Sequence, residues 1–481
     1  MTTRILIDPV TRIEGHAKIS LVLGDDDSVA SANFHVAEFR GFEKFCEGRP
    51  FYEMPTLTSR VCGICPVSHL IASAKACDQI LAVHTPMPAR KLRRLMGLGQ
   101  FIQSHALSFF HLSSPDLVLG MESDPVKRNL FGLIAADEEY ARGGIRLRQF
   151  GQRVIEILGG KRIHPSGVVP GGMAAPLTEE GRAEIEGHVA DARAIVLSAL
   201  ERWKRMLDKM AQEVEVFGRF PTLYVGLVTP EGDWEYYEGS LSVMDGNGMI
   251  IAENIPPIDY QEYFAEEVDI SSYIKPTYYK PRGETGGIYR VGPLARLNLC
   301  SHMGVPLADR ELTEYRHRFP PPASSSFLYH HARLIEILAS IEHISRLLED
   351  EEILSTRIRA EAHVNRLEAV GVSEAPRGTL FHHYQVDEDG LIRRANLLIA
   401  TGQNHGAMNR TILQIARHYV KGREIPEGIL NRIEAGIRAF DPCLSCSTHA
   451  FGRMPLAIEL VARDGTVVQR LSRRADGRAD G

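Results

Sequence analysis

Two cysteine motifs from opposite ends of the chain constrain its fold more than any other feature. RVCGICPVSHL, residues 60–70, holds Cys62, Cys65 and His69, and FDPCLSCSTHAFGRMP, residues 440–455, holds Cys443, Cys446 and His449. If the four thiols serve one site, the chain must close on itself over most of its length, which calls for one compact unit. Cys65 and His69 share a face if a helix begins near Cys65. A helix N-terminus also favours thiolate through its free N–H groups and dipole. Four thiolates in two pairs form a soft donor set, suited to zinc, an iron–sulfur cluster, copper(I) or nickel. A structural Cys₄ zinc site usually draws its pairs from one short stretch, but spacing alone does not exclude it. A thioredoxin-like redox pair fits less well, because neither motif has the expected strand-to-helix setting.

The other cysteines, Cys46, Cys77 and Cys300, bring the total to 7. An odd count without a signal peptide argues against a disulfide framework, and these three read as buried small apolar residues. A net charge of −6 speaks against nucleic acid or an anionic membrane as the main partner. No apolar run is long enough to span a bilayer. MTTRILIDPV lacks the layout of a secretion signal.

The segment RILIDPVTRIEGHAKISLVLGDDDS reads as strand, turn and strand. Residues 58–111 read as helical with a break at the PMP of 86–88. Within 177–217, Ile185, Val189, Ala192, Val196, Leu200, Trp203, Leu207, Met210 and Val214 recur at helical steps, with Thr178 as candidate cap. Residues 218–300 read as an irregular β-containing insertion, and helical periodicity returns from Ser326 to about Arg366. GTLFHHYQVDEDGLIRRANLLIAT suggests a hairpin turning at Asp389-Gly390. Residues 407–420 and 427–439 suggest two more helices. PLAIELVARDGTVVQRL suggests a second hairpin turning at Asp464-Gly465, and the RADGRADG tip is expected to be disordered. The fold class expected is mainly α (α+β), a central helical bundle with peripheral β hairpins.

Charged residues cluster in similar short motifs: Glu14 and His16 in RIEGH, Glu43 in EFRGFE, Arg377 in EAPRGT. Each alone reads as an ordinary paired or solvated charge. Together they suit a reaction centre, where a carboxylate passes protons and a guanidinium holds anionic ligands. DPVTRIEGH, EFRGFEKF, RVCGICPVSH, SHALSFFHLSSPD, EAPRGTLFHHY and DPCLSCSTH stand in this order along the chain. In that set and order the chain resembles the large subunit of the nickel–iron hydrogenases over essentially its whole length. It is most similar to the NAD(P)-linked bidirectional soluble branch.

The resemblance implies heterolytic H2 oxidation and proton reduction at a Ni-Fe(CN)2(CO) centre. Cys62, Cys65, Cys443 and Cys446 would bind nickel, with Cys65 and Cys446 bridging to an iron that carries one CO and two cyanides. Cys443 would accept the first proton and Glu14 would carry it outward. Arg377, beside Pro376, would hang over the open position, with Thr401 close to the cyanides. Asp116 and Asp441 would orient Arg377, and His69 would bond the Cys65 thiolate. Glu43, His449 and the Leu397 carbonyl would hold a magnesium ion. Residues 1–449 would form the catalytic domain, and 450–481 a maturation extension removed by an endopeptidase between His449 and Ala450 after nickel-insertion proteins have acted.

No glycine-rich dinucleotide or phosphate loop is evident, and no further cysteine cluster. The resemblance therefore implies partners: a small subunit with iron–sulfur clusters and diaphorase subunits with FMN and NAD, in the cytoplasm. Three alternatives stay open. They are a zinc-stabilised assembly protein, the quinone-binding subunit related to this fold in respiratory complex I, and a hydrogen sensor or a hydrogenase with another acceptor.

Overall fold

The computed structural model describes residues 4–26, 28–39, 41–269, 271–422 and 425–447, together with the backbone of three strands between 456 and 480. Long helices form its centre. Met87–Ala106 packs along Glu138–Gly159, and Tyr329–Leu348 lies against Met87–Ala106 and Glu179–Lys209. Glycine allows the first of these contacts. A Cβ on Gly151 would stand 2.4 Å from the Gly99 carbonyl oxygen, so these helices touch backbone to backbone.

Glu179–Lys209 follows the periodicity read from the sequence. Its apolar positions are buried, and the Thr178 side chain accepts from the Gly181 N–H at 3.1 Å. It stops at Met210, where φ is −114°, and Ala211–Val216 forms a separate short helix. The expected helix from Ser326 to Arg366 is shorter than expected. Tyr329–Leu348 ends at an acidic run, where the Asp350 carboxylate accepts the Glu352 N–H and starts a 3₁₀ turn, Glu351–Leu354.

The strand Glu368–Ala375 then opens a three-stranded antiparallel sheet with Gly378–Val386 and Ile392–Leu398. Ala375 pairs with Gly378, so Pro376 and Arg377 form the tip of the first turn. Gly390, at φ +77°, makes the second turn where Asp389-Gly390 was expected. This sheet lies directly on the helix Pro66–Leu81, for a Cβ on Gly371 would meet the Ala72 carbonyl at 2.0 Å.

The N-terminal strands Arg4–Ile7, Ala17–Leu23 and Val29–Val36 form an antiparallel meander. Leu223–Val228, Ser240–Met244, Ile250–Ile255 and Tyr289–Arg290 form a four-stranded sheet in the 218–300 segment, which also holds the strand pair Phe264–Glu266 and Thr277–Tyr279 and the helix Pro293–Leu299. In the tail, Leu456–Val461 pairs with Val467–Arg473 as a hairpin, and Ala479–Asp480 adds a third strand where a disordered tip was expected. The Asp464-Gly465 turn lies outside the described residues. No described helix is long and apolar enough to cross a membrane.

The helical core holds histidines in their neutral form. His331 is buried against Tyr315 and Trp203, and neither of its ring nitrogens has a hydrogen-bond partner. Burial, with help from Lys204 and Arg318, pushes its pKa down to about 3. The unfolded chain takes up this proton near pH 6.5, so below that pH the unfolded state binds more protons than the folded one. The stability His331 contributes is therefore complete above pH 6.5 and is lost as pH falls toward about 3. His331→Leu is expected to flatten the pH dependence. Between pH 8 and pH 5 the wild type loses about 2 kcal/mol more than the variant, measured from denaturant midpoints.

Candidate metal centre

The two cysteine motifs meet. Cys62 follows a 3₁₀ turn, Ser59–Val61, in extended conformation, and Cys65 caps the helix that Pro66 opens. Cys443 and Cys446 flank the short turn after Glu427–Arg438. Asp441, at φ +54°, bends the chain into the site. Sγ–Sγ distances are 3.2 Å for Cys62–Cys443, 3.3 Å for Cys65–Cys446 and 2.9 Å for Cys443–Cys446. All four sulfurs lie within 4.8 Å of one another, all are buried, and none is in a disulfide.

Their electrostatics separate one thiol from the rest. Burial raises the Cys62 pKa, but the three neighbouring thiols and Arg377 outweigh it and hold Cys62 well below the ordinary thiol value. The Ile64 and Cys65 N–H groups also point at its sulfur, at 3.2 and 3.3 Å. Burial pushes Cys443 and Cys446 well above that value. Four clustered sulfurs cannot all carry charge without a cation among them, which is what a metal-loading site requires.

Arg377 sits beside the cluster at the strand turn. Its Nε donates to the Asp441 carbonyl at 2.7 Å, its Nη2 lies 3.0 Å from Asp441 Oδ2, and its Nη1 donates to Ser104 Oγ at 3.2 Å. The neighbouring charges of Asp441 and the cysteines outweigh burial and raise its pKa. Glu14 reaches the other side. Its backbone carbonyl accepts the Leu444 N–H at 3.3 Å, and its carboxylate accepts the Ser445 N–H at 3.0 Å and the Ser445 hydroxyl. Thr401 Oγ1 accepts the Cys443 N–H at 2.9 Å. The Pro376 carbonyl accepts from Arg296 Nη2 at 3.1 Å.

Two expected contacts differ. His69 Nε2 lies 3.3 Å from Cys446 Sγ, where Cys65 was the thiol expected. Cys65 caps the helix, and His69, one turn further along it, faces the sulfur that arrives from the C-terminal motif. Asp116 was expected on Arg377. Instead it joins Arg12, Arg128, Arg438 and Asn431, with Arg438 Nη2 3.0 Å from Oδ2 and Asn431 Nδ2 3.0 Å from Oδ1. Two nearer arginines from the terminal segments occupy it. Away from the thiols, Glu43 Oε1 accepts the Leu397 N–H at 2.8 Å, so these two distant residues are neighbours. His449 and Ala450 lie outside the described residues. Ser104, Arg296 and Ser445 were missed by the sequence reading; Ser104, which opens the SHALSFFHLSSPD motif, and Ser445, between the two C-terminal cysteines, had a signal in their position, and Arg296 had none.

Comparisons with known proteins agree with this arrangement. The family model described as nickel-dependent hydrogenase matches residues 40–128 and 252–449, and one described as HoxL-like matches 4–39. The chain is 39% identical to the NAD-reducing hydrogenase HoxS subunit beta of Cupriavidus necator, over 98% of this chain and 100% of that one. It is 40% identical to a subunit of the F420-non-reducing hydrogenase vhc of Methanococcus voltae, again over 98% and 100%. A crystal structure of an NAD+-reducing [NiFe]-hydrogenase in the H2-reduced state superposes with a TM-score of 0.90 and 43% identity, covering 93% of this chain and 100% of that one. Sequence, fold and the convergence of four cysteines lead to one conclusion: the chain belongs to the nickel-dependent hydrogenase family and has the fold of its large subunit.

Proposed function

We propose that this chain is the catalytic large subunit of a bidirectional, NAD(P)-linked nickel–iron hydrogenase. The observation that carries the reading is the buried cluster of four sulfurs within 4.8 Å, with Arg377 on one side and Glu14 on another. Cys62, Cys65, Cys443 and Cys446 would hold the nickel, with Cys65 and Cys446 also serving an iron that would carry CO and two cyanides. When bound, this centre supplies the position at which H2 is cleaved heterolytically. The protein's own groups manage charge and protons around it. Arg377, anchored by Asp441, presents a fixed cation over the site. The Thr401 hydroxyl fixes the backbone at Cys443. Glu14 is the proton carrier next to Cys443, its carboxylate aimed by Ser445. Glu43, the Leu397 carbonyl and His449 would hold a magnesium ion.

The tail from Ala450 onward is a maturation segment removed after His449. The family match ends at residue 449, and 93% of this chain covers the whole of the solved NAD+-reducing relative. Electrons leave through a partner small subunit with iron–sulfur clusters to flavin- and NAD-binding diaphorase subunits in the cytoplasm. The likeness to the NAD-reducing HoxS subunit favours this acceptor. The equal likeness to the F420-non-reducing chain of Methanococcus voltae supports a second reading, the same centre serving a different acceptor.

Purification of the complex from its host tests both. One CO and two cyanide bands in the infrared, stoichiometric nickel and iron, and H2-dependent reduction of NAD or NADP are expected. Bands without nicotinamide reduction would move the reading to the second acceptor, and a silent spectrum with stoichiometric zinc would overturn it. In the same preparation Glu14→Gln is expected to keep metals and bands while turnover falls about 10²- to 10⁴-fold.

A further inference from the structure

The paired histidines of the FHHY segment bring a row of polar groups to one sulfur. His382 and Tyr384 are two apart on the strand Gly378–Val386 and point to one face. His69 and Ser73 are four apart on the helix Pro66–Leu81 and also share a face. Where the faces meet, His69 Nε2 lies 3.3 Å from Cys446 Sγ and His69 Nδ1 lies 3.0 Å from His382 Nε2. His382 Nδ1 is then 2.6 Å from the Tyr384 hydroxyl, which is 2.9 Å from Ser73 Oγ. All four side chains are buried. His383, between the two strand residues, faces away toward Glu368 and Tyr260.

A neutral imidazole has one N–H and one lone pair, so such a chain must run in a single sense. Here the Tyr384 hydroxyl donates to Ser73. His382 Nδ1–H then donates to the tyrosine oxygen, His69 Nδ1–H donates to His382 Nε2, and His69 Nε2 is left as an acceptor for the Cys446 thiol. A metal-bound Cys446 has no proton and can only accept. It requires the opposite sense, with Tyr384 donating to His382 Nδ1, His382 Nε2–H to His69 Nδ1, and His69 Nε2–H to the sulfur. The two senses differ by one proton, the one Cys446 gives up on binding metal. One hydroxyl facing His382 on one side and Ser73 and Thr58 on the other is sufficient to set either.

We propose that Tyr384, acting through His382, holds His69 as an N–H donor to the Cys446 sulfur of the loaded centre. Tyr384 and His382 are thus positioning residues, and the inference rests on the hydrogenase reading above. A hydrogen bond to a metal thiolate draws electron density from it. Without that bond the metals are more electron-rich and donate more into bound CO, which lowers its stretching frequency.

The test is the infrared spectrum of the purified complex, with nickel and iron measured on each sample. Tyr384→Phe is expected to load both metals and to shift the CO band to lower frequency, with H2 oxidation slowed about tenfold. His382→Leu should shift it in the same direction. His382→Gln, whose amide N–H replaces the donor to His69, should restore the wild-type position. Ser73→Ala removes an outward acceptor of the Tyr384 hydroxyl and keeps the inward one, His382, so it should not move the band. An unmoved band in loaded Tyr384→Phe and His382→Leu would overturn the inference, as would an equal shift in Ser73→Ala, which would mark a packing effect. A wild-type complex without CO and cyanide bands would instead remove the hydrogenase reading itself.

Discussion

A Cys446→Ala chain purified from its host is expected to retain neither nickel nor iron, while Cys300→Ala retains both. The two cysteines are alike in burial and in being free thiols. They differ in company. Cys446 Sγ is 2.9 Å from Cys443 Sγ and 3.3 Å from Cys65 Sγ, whereas burial, aided by the charges of Glu336 and Asp309 and with no thiol taking part, pushes Cys300 up to about 12. Alanine at 446 removes one of the four sulfurs proposed to hold the metals, the one that His69 contacts. Changes outside the ligand set typically weaken metal binding about 10- to 100-fold. Loss of a shared ligand is expected to exceed that and leave metals at background. The fold should survive, because Cys446 lies in the short helix Leu444–Ser447, away from the long helices of the core. Elemental analysis per chain, with the thermal midpoint of each variant, decides it. Stoichiometric nickel in Cys446→Ala would show that this sulfur is not a ligand.

The sequence reading succeeded where residue type and local spacing carry the information. The two C-x-x-C motifs, RIEGH and APRG announced a site, and Thr178 with the apolar steps behind it announced the longest helix. It failed where the partner comes from elsewhere in the chain. His69 is one helical turn from Cys65, which made Cys65 the natural choice, yet the sulfur on its Nε2 arrives from a position 377 residues away. Asp116 carries a full charge that any nearby arginine can satisfy. Nothing local says that Arg438, 322 residues on, takes it in place of Arg377. The strand Glu368–Ala375 was hidden for a related reason. It is buried along nearly its whole length, between the helix Pro66–Leu81 and the β segment of 223–255, so it lacks the polar–apolar alternation of a half-exposed strand.

The support of Arg377 was equally invisible, and it leads to the second large effect: Arg296→Met is expected to destabilise the chain by about 3–5 kcal/mol. Arg296 is fully buried and commits its guanidinium to two carboxylates. Nε and Nη2 hold Glu336 at 2.6 and 2.7 Å, and Nη1 holds Glu374 at 2.7 Å. The same fork reaches the carbonyls of Ala375 and Pro376, at 3.0 and 3.1 Å, immediately before Arg377. Glu374 in turn accepts the Thr379 hydroxyl at 2.7 Å, just after Arg377. One guanidinium therefore braces both sides of the turn that presents Arg377. Methionine fills much of the volume but leaves the buried carboxylates of Glu336 and Glu374 without their direct ion-pair partner, and that residual charge is where the large loss arises. Arg296→Lys restores one positive charge and not the fork, so it should recover part of the stability while the turn keeps fewer of its carbonyl anchors. Denaturant midpoints of the three proteins test this, and a loss below about 1 kcal/mol in Arg296→Met would mean that the network contributes no more than an exposed ion pair.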